Sequence, residues 1–313
     1  MARASGEGRA RLEVCEAEAG ARLDVFLARR LGLSRADARA LLARGAVALD
    51  GRIAELAAKG LALEAGARVD VMGAAPRAAQ RPAAEPELGF AVLAEGPGWL
   101  VLDKPAGVPV HPLAEDERGT LLNFAVARHP EMLGIGEGGL RSGVVHRLDV
   151  DTSGCLALAI SEPAWRRLRE AFRRHRVSKT YRAIALGALR ERGELELPLV
   201  VARHRPARVR AALPGERGAR ATRLAWRVRE RLRGAVLVEV DLETGFLHQV
   251  RATLAHLGAP LAGDRLYGPP AEGDPSGAAR QMLHAARLSY AELSAESPDP
   301  PDFREVLDRL RGA

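Results

Sequence analysis

One carboxylate in this chain lies where residue types and spacing favour chemistry. Asp149 belongs to the segment 144–153 (VVHRLDVDTS), between basic side chains and small hydroxyl residues, and the apolar run 155–160 (CLALAI) follows it. The apolar run predicts a buried strand, and neighbouring cations can hold a carboxylate ionised at the start of that strand. Such a carboxylate can act as a nucleophile or as a general base. The same residues also allow a simpler interpretation, a structural ion pair between Arg147 and Asp149.

Other kinds of reactive site are not indicated. The eight histidines show no ligand spacing with acidic residues, so no metal site is predicted. Cys15 and Cys155 are too few and too far apart for a disulfide framework or a zinc cluster. We therefore expect an activity that needs no metal.

The composition narrows the class of protein. The chain has 313 residues, which suggests about two domains, and 47% of them are hydrophobic, enough for a buried core. The longest apolar run, 155–160, is far shorter than the roughly 20 residues of a membrane-spanning helix. No secretory signal is evident. These features predict a soluble, cytoplasmic protein, and we expect a monomer without a membrane partner.

The charge balance points to an anionic partner. Lysine and arginine number 47 against 40 aspartate and glutamate residues, a formal net charge of +7, and basic domains commonly bind nucleic acid. The chain has three lysines and three tyrosines: Lys59, Lys104, Lys179, Tyr181, Tyr267 and Tyr290. Because arginine has replaced lysine almost everywhere, each remaining lysine is a candidate for a site that needs a compact ammonium group.

Residues 11–72 predict a small N-terminal module. Apolar residues at helical spacing indicate a helix over 23–31, and Ser34 is a suitable N-cap for a second helix. Asp50-Gly51 then predicts the turn of a β-hairpin. Five arginines crowd the helical part: Arg29, Arg30, Arg35, Arg39 and Arg44. This cluster fits either an RNA-binding surface or an ordinary solvated face.

Residues 73–87, rich in alanine, proline, arginine and glutamate, predict a linker, and residues 88–313 predict one larger domain. Helices are predicted over 120–129, 162–175 and 247–257, and strands over 100–102, 155–160, 181–186, 224–228 and 236–240. Because helices and strands do not alternate regularly, we expect an α+β domain with a mixed, largely antiparallel sheet. The arginine-rich segment 201–223 predicts either a hairpin that grips RNA or a flexible surface strip.

The N-terminal module resembles the S-four-type RNA-binding module, named after a ribosomal small-subunit protein. The matching residues are Arg22-Leu23-Asp24, Leu33-Ser34-Arg35, Arg44-Gly45-Ala46-Val47 and Asp50-Gly51. Asp50 departs from the asparagine that is usual before the last glycine. The resemblance implies a small α/β module that contacts RNA phosphates and shape through its arginine-bearing helix pair. The candidate contacts are Arg35, Arg39 and Arg44.

The larger domain resembles the large-ribosomal-RNA pseudouridine synthase family, the RluA-type synthases. The segment His146-Arg147-Leu148-Asp149-x-Asp151-Thr152-Ser153-Gly154 is similar to the signature of that family. Four further segments match in the same order: Lys104-Pro105-Ala106-Gly107; Lys179-Thr180-Tyr181; Thr244-Gly245 with His248-Gln249-Val250-Arg251; and Gly263-Asp264 with Tyr267-Gly268. The resemblance implies the pseudouridine synthase fold and no cofactor.

The resemblance also implies roles for individual residues. Asp149 would be the catalytic carboxylate, Tyr181 would stack on the target uracil, and Arg251 would pair with Asp149 and keep it ionised. Arg147 would fill the space that the target nucleotide leaves when it flips out of its stack. A second carboxylate, Asp151, is expected to be structural.

The other matched polar residues are candidates for substrate contact: Lys104, His146, His248 and Gln249. Lys104 is expected to support the pocket or to bind a phosphate. Val150 and Phe246 stand where the family often has basic residues, so these two departures concern individual RNA contacts and not the reaction.

The implied activity is the isomerisation of specific uridines to pseudouridine in RNA. Large-subunit ribosomal RNA is the first candidate substrate and transfer RNA the second. A non-catalytic RNA-binding factor of ribosome assembly, built on the same scaffold, is the alternative from another class. Loss of the nucleophile would favour that alternative, whereas Asp149, Tyr181 and Arg251 are all present.

Overall fold

The computed structural model describes residues 10–33, 35–72, 80–204, 206–270 and 273–312. These residues form two compact units. The first unit comprises the described residues up to Arg81 together with Glu137–Leu140, and the second comprises those of Pro82–Gly136 and Arg141–Ala313. No helix among the described residues is long and apolar enough to cross a membrane.

The first unit is a four-stranded antiparallel sheet with two helices, in the sheet order β1-β4-β2-β3. Its elements are β1 (Ala10–Glu13), α1 (Leu23–Leu31), α2 (Arg35–Ala43), β2 (Val47–Leu49), β3 (Arg52–Ile53) and β4 (Arg68–Val71). The predicted small module of helices and strands is therefore present, and its sheet is antiparallel throughout the described residues. The predicted N-cap, Ser34, lies outside the described residues.

The turn between β2 and β3 follows from its sequence. Asp50 and Gly51 both have positive φ angles, 48° and 81°, as a type I′ hairpin turn requires. Aspartate and glycine are among the residues that adopt this region at low cost. The predicted hairpin at Asp50-Gly51 is therefore confirmed.

The second unit contains every helix and strand predicted for the larger domain, with ends that differ by up to four residues. Its elements are β5 (Val92–Gly96), β6 (Trp99–Lys104), α3 (Leu121–Arg128), β7 (Ser153–Ala159), α4 (Glu162–Arg173), β8 (Ser178–Leu186), β9 (Arg192–Glu196), β10 (Leu199–His204), β11 (Ala207–Ala211), β12 (Arg223–Leu232), β13 (Ala235–Leu242), α5 (Gln249–His256), β14 (Leu283–Tyr290), β15 (Leu293–Glu296) and α6 (Pro301–Arg311).

The main sheet runs in the order β5-β6-β7-β14-β8-β13-β12-β9. β15 lies outside this order and pairs with the C-terminal half of β14. The β7–β14 pair is parallel and the remaining pairs are antiparallel. The predicted mixed, largely antiparallel α+β fold is thus confirmed. β10 and β11 form a separate hairpin, so of the two alternatives for the arginine-rich segment 201–223 the structure shows the hairpin, over its first half. The contact of this hairpin with RNA stays a prediction.

The alternation of side chains along β8 assigns each residue to one face of the sheet. Tyr181 and Ala183 pack into the core that includes Leu254 of α5, whereas Ile184 packs against Phe303 of α6. Because side chains alternate along a strand, Tyr181 necessarily faces the same side as α5. This is how the fold brings Tyr181 and the helix that carries Arg251 to one face.

The parallel pair in the middle of the sheet depends on a glycine. Gly154 has a φ of 108°, and a Cβ there would lie 2.3 Å from the carbonyl oxygen of Ala285. Only glycine permits both this backbone conformation and this close approach. Gly154 therefore fixes the start of β7, the strand that directly follows the segment of Asp149.

The predicted linker, 73–87, is longer than the structure supports. Residues 73–79 lie outside the described residues, but the segment from Pro82 onward belongs to the second unit. The Asn123 amide donates to Ala83 O at 2.7 Å, and Glu85 accepts from the backbone amide of Gly119 at 2.7 Å. Because these bonds attach the segment to the start of α3, the linker ends by about Arg81.

Candidate active site

The segment that carries Asp149 is a turn held in place by a buried lysine. The Thr152 amide donates to Asp149 O at 3.1 Å, which closes the turn directly before β7. The ammonium group of Lys104, fully buried, donates to Val150 O at 2.6 Å and also to Pro105 O and Val108 O. Burial lowers the pKa of Lys104 to about 7, although the charges of Asp151 and Asp149 oppose that shift.

The predicted substrate contact by Lys104 is therefore wrong. Three carbonyl oxygens match the three donors of an ammonium group, so none remains for a phosphate, and the side chain has no exposed surface. Lys104 supports the pocket instead, which was the other part of the prediction. It joins the end of β6 to the turn that carries Asp149.

Asp149 is paired with Arg251 of α5. The distance from Arg251 Nη1 to Asp149 Oδ2 is 3.0 Å, so the predicted ion pair is present. The Asp149 side chain is 20% exposed, and that of Arg251 is 9% exposed. The alternative of an Arg147–Asp149 ion pair is not observed among the described residues.

Arg251 is itself fixed by a second carboxylate, Asp264. Its Nε and Nη2 donate to the two oxygens of Asp264 at 2.7 and 2.8 Å. Asp264 is fully buried and also accepts the backbone amides of Leu266 and Tyr267. Burial lowers the pKa of Arg251, but the hydrogen bonds and charges of Asp264 and Asp149 outweigh it and raise the pKa further. A bidentate pair of this kind fixes the guanidinium plane, and thereby the direction of Nη1.

Tyr181 lies in the same cavity as Asp149. Its ring is buried, 8% exposed, and no described residue forms a hydrogen bond with its hydroxyl group. Burial raises the pKa of Tyr181, and the negative charge of Asp149 raises it further. The hydroxyl is therefore neutral at physiological pH and can serve as a donor.

The cavity has a volume of about 680 Å³ and lies within the second unit, inside the range of about 300–1,000 Å³ that is usual for ligand sites. Asp149, Tyr181, Arg251 and His248 line it, as does the exposed Arg147. Further arginines line its α4 side: Arg166, Arg169 and Arg173. Asp151 is exposed and is not part of this lining.

Two predicted substrate contacts use their polar atoms within the protein. Gln249 is buried; its oxygen accepts from Thr244 Oγ1 and from the Phe246 amide, and its nitrogen donates to Arg223 O at 3.1 Å. Its amide therefore supports the loop before α5, and because Gln249 also lines the cavity, its contact with substrate stays a prediction.

His146 also has a supporting role. Its Nε2 accepts the Ala157 amide at 2.9 Å, and its ring stacks on Phe172 with the centroids 4.4 Å apart. Burial, followed by the charge of Lys179, lowers the pKa of His146 to about 3. The ring is partly exposed and lines the cavity, so the contact of this neutral imidazole with substrate stays a prediction.

Sequence reasoning assigned no role to Asp264 or Tyr267, although both lie in segments that match the family. The structure places Tyr267 beneath Arg251, whose Cζ is 5.3 Å from the ring centroid. The match with the family could have indicated both residues, whereas their spacing along the chain could not show that they contact Arg251. Among the described residues, no group of three or more His, Cys, Asp or Glu side chains could hold a metal ion.

Comparison with known proteins identifies the family. The model of the family described as RNA pseudouridylate synthase matches residues 98–256, which include the Asp149 turn, Tyr181 and α5. The chain belongs to the RNA pseudouridylate synthase family. It is therefore an isomerase, because a pseudouridine synthase breaks the bond between uracil and ribose and joins the same base again through a ring carbon.

Curated relatives share much of the length of this synthase. It is 36% identical to an uncharacterized RNA pseudouridine synthase of Chloroflexus aurantiacus, over 98% of each chain. It is also 36% identical to the ribosomal large subunit pseudouridine synthase D of Xanthomonas campestris, over 74% of this chain and 72% of that protein.

Solved structures agree on the fold. The structure of human RNA pseudouridylate synthase domain containing 4 covers 71% of this chain and 93% of its own, with a TM-score of 0.57 and 24% identity. Human RNA pseudouridylate synthase domain containing 1 gives a TM-score of 0.56 at 22% identity, with 72% and 96% covered. At such identities the likeness concerns the fold alone.

Proposed function

We propose that this pseudouridine synthase modifies uridines of large-subunit ribosomal RNA, with Asp149 as its catalytic carboxylate. The observation that carries the proposal is the pairing of Asp149 with Arg251 at 3.0 Å inside a cavity that Tyr181 also lines. Arg251 binds one oxygen, Oδ2, and leaves the other oxygen to attack the sugar or to remove a sugar proton. Tyr181 stacks on the detached uracil while the base turns.

The cavity favours isomerisation over hydrolysis. Glycoside hydrolysis uses two carboxylates about the scissile bond, one of which activates water or forms the covalent intermediate. Here the neighbouring acid, Asp151, lies outside the cavity, and Asp264 is fully buried against Arg251. Glu170 also lines the cavity, but its carboxylate is paired with Arg173 and Arg174. Asp149 is thus the carboxylate available for the reaction, which suits a step in which base and sugar rejoin without water.

Support for a ribosomal substrate comes from the relatives. Several proteins at 33–36% identity are named ribosomal large subunit pseudouridine synthase D, and this chain covers 65–72% of their lengths. The arginines that line the α4 side of the cavity suit a polyanionic substrate. Arg147 is exposed beside Asp149, where it can fill the gap left by a flipped nucleotide.

This proposal is tested by mapping pseudouridine after incubation of the purified protein with unmodified large-subunit ribosomal RNA and with unmodified transfer RNA. We expect new pseudouridine at discrete positions of the ribosomal RNA. Modification of transfer RNA alone would move the substrate to the second candidate. Modification of neither RNA, by a protein shown to be folded, would contradict the proposal.

We further propose that the first unit is an S-four-type RNA-binding module. Three arginine side chains surround the buried carboxylate of Asp24: Arg22 donates to it at 3.1 Å, Arg39 at 2.9 Å, and Arg35 lies 3.9 Å away. The arginines are 40–59% exposed, so one carboxylate orients three guanidinium groups and leaves a net positive surface. Arg44 is exposed after the end of α2.

Deletion of residues 1–79 should weaken RNA binding and reduce its salt dependence. Each lost phosphate contact lowers the slope of log K against log salt by about 0.7–0.9. The single-turnover rate at saturating RNA should change by less than about threefold, because the proposed catalytic residues are all in the second unit. Salt titrations and single-turnover time courses measure both quantities, and circular dichroism checks the fold. Equal affinity with an equal salt slope would show that the module is not an RNA anchor.

A further inference from the structure

Tyr267 lies between the β10–β11 hairpin and the proposed catalytic carboxylate. Its hydroxyl oxygen is 2.8 Å from the backbone nitrogen of Val209 in β11 and 3.0 Å from His248 Nδ1. Its ring packs edge-on against the ring of His248, with the centroids 5.7 Å apart. The guanidinium carbons of Arg208 and Arg251 lie 5.6 and 5.3 Å from the ring centroid.

The direction of one hydrogen bond to this hydroxyl is fixed by its donor. A backbone amide can only donate, so the Tyr267 oxygen accepts from Val209. When the hydroxyl proton is directed at the other partner, Tyr267 donates to His248 Nδ1. An Nδ1 that accepts carries no proton, so the neutral imidazole of His248 must carry its proton on Nε2.

That Nε2 faces the carboxylate. It lies 3.8 Å from Asp149 Oδ2, the same oxygen that accepts from Arg251. The charged groups around His248 are Asp149, Arg251, Asp264 and Arg147. Burial lowers the pKa of His248, and the two arginines act in the same direction while the two carboxylates oppose it. The ring is therefore neutral at physiological pH and can hold one defined tautomer.

We propose that Tyr267 is a positioning residue for the reaction, because its hydroxyl, anchored on Val209 of the hairpin, holds His248 with its Nε2–H directed at Asp149. The inference rests on the proposed role of Asp149. At 3.8 Å the Nε2–H is too far from Asp149 Oδ2 for a hydrogen bond. It presents a neutral N–H dipole beside the cation of Arg251, and both favour the same orientation of the carboxylate. With the opposite tautomer, a lone pair would face the carboxylate and repel it.

The local backbone supports this assignment. His248 is the N-cap of α5 and has a φ of 51°, in the left-handed region, which is uncommon for residues other than glycine although histidine, asparagine and aspartate are enriched there. Because this conformation costs energy for a residue with a side chain, the surrounding contacts must hold it, and the bond to Tyr267 is one of them. The hydroxyl thus connects the hairpin to the N-cap of the helix that carries Arg251.

The first test is the protonation of the His248 ring, measured by nitrogen NMR on the full chain without RNA. Protonated and unprotonated ring nitrogens resonate in separate ranges, and the His248→Asn variant identifies the signals among eight histidines. Asparagine tolerates the left-handed backbone. We expect Nε2 protonated and Nδ1 unprotonated, and a change of both signals in Tyr267→Phe. A proton on Nδ1 would overturn the proposal whatever the turnover of the enzyme.

The second test is a double-mutant cycle on the single-turnover rate at saturating RNA. Tyr267→Phe should lower the rate by about 10-fold while the RNA dissociation constant changes by less than about twofold. In the His248→Asn background the same change should alter the rate by less than about twofold, because Tyr267 acts through the imidazole. Tyr290→Phe, which removes a tyrosine hydroxyl at the end of β14, is the matched control and should leave the rate unchanged.

Two kinetic outcomes would refute this role. An unchanged rate in Tyr267→Phe would show that the hydroxyl does not affect the reaction. An equal loss in both backgrounds would show that Tyr267 acts through the hairpin alone and not through His248. Failure of the proposed function is distinguishable from either, because it would appear as turnover retained by Asp149→Asn, whereas the tautomer is measured without turnover.

Discussion

Asp149→Asn should lower the single-turnover rate by at least about 1,000-fold and change the RNA dissociation constant by less than about twofold. Asparagine keeps the shape of the side chain, and its oxygen can still accept from Arg251 Nη1, which now lies 3.0 Å from Asp149 Oδ2. The amide has no negative charge with which to attack the sugar or to remove a proton. Binding depends mainly on contacts with phosphates and flipped base, which the substitution leaves intact.

The matched control lies in the same turn. Asp151→Asn removes an equal charge two residues away, from a side chain that is exposed and outside the cavity. It should keep the rate within about threefold of the wild type, since a surface charge at this distance has only a screened effect. Single-turnover assays on the same RNA measure both variants. Turnover retained by purified Asp149→Asn, or lost equally in both variants, would contradict the assignment of Asp149.

The elements of the fold were largely readable from the sequence because their signals are local. The apolar run 155–160 is buried on both faces of β7, as its composition predicts, and Thr120 is the N-cap of α3. The missed elements have weaker local signals. β9 alternates charged residues with Gly193 and Leu195 at the edge of the sheet, and α6 begins at Pro301, the last residue of a proline-rich stretch at 298–301.

The site was predictable only in part, for a physical reason. Residue types and the family resemblance gave Asp149, Tyr181 and Arg251, and the structure places all three around one cavity. The direction of the other side chains depends on long-range packing. Lys104 turns inward to three carbonyl groups, and Gln249 turns back to the loop before its own helix. A sequence pattern shows which residues are retained but not whether they meet substrate or support it.

The arrangement around Arg251 shows why support and chemistry are hard to separate. Its three hydrogen bonds divide two to the buried Asp264 and one to Asp149. The two bonds to Asp264 fix the plane of the guanidinium group. Because that plane is fixed, Nη1 points at the carboxylate of Asp149. A residue that only held the charge of Asp149 would not need the fork of an arginine, because a lysine would suffice.

Arg251→Lys should consequently lower the single-turnover rate by about 100-fold or more, even though the positive charge remains. One ammonium group on a flexible chain cannot bind both oxygens of Asp264 in one plane and still reach Asp149. Arg251→Met should cost more, because it leaves the buried charge of Asp264 without its cation, and breaking a buried ion pair destabilises a fold by about 3–5 kcal/mol. The rate and the stability are thus expected to respond differently to the two substitutions.

Urea unfolding followed by tryptophan fluorescence measures the stability of the relevant unit, because Trp99, Trp165 and Trp226 all lie in the second unit. The control is Arg182→Lys on β8, which weakens an ion pair with Asp299 away from the cavity. It should lower the unfolding midpoint slightly and leave the rate within about threefold of wild type. If Arg251→Lys kept the wild-type rate at saturating RNA, the directed bond from Nη1 would be dispensable, and the carboxylate would need only a nearby positive charge. If instead the rate falls while Arg251→Lys unfolds near the wild-type midpoint, the fork itself orients the nucleophile.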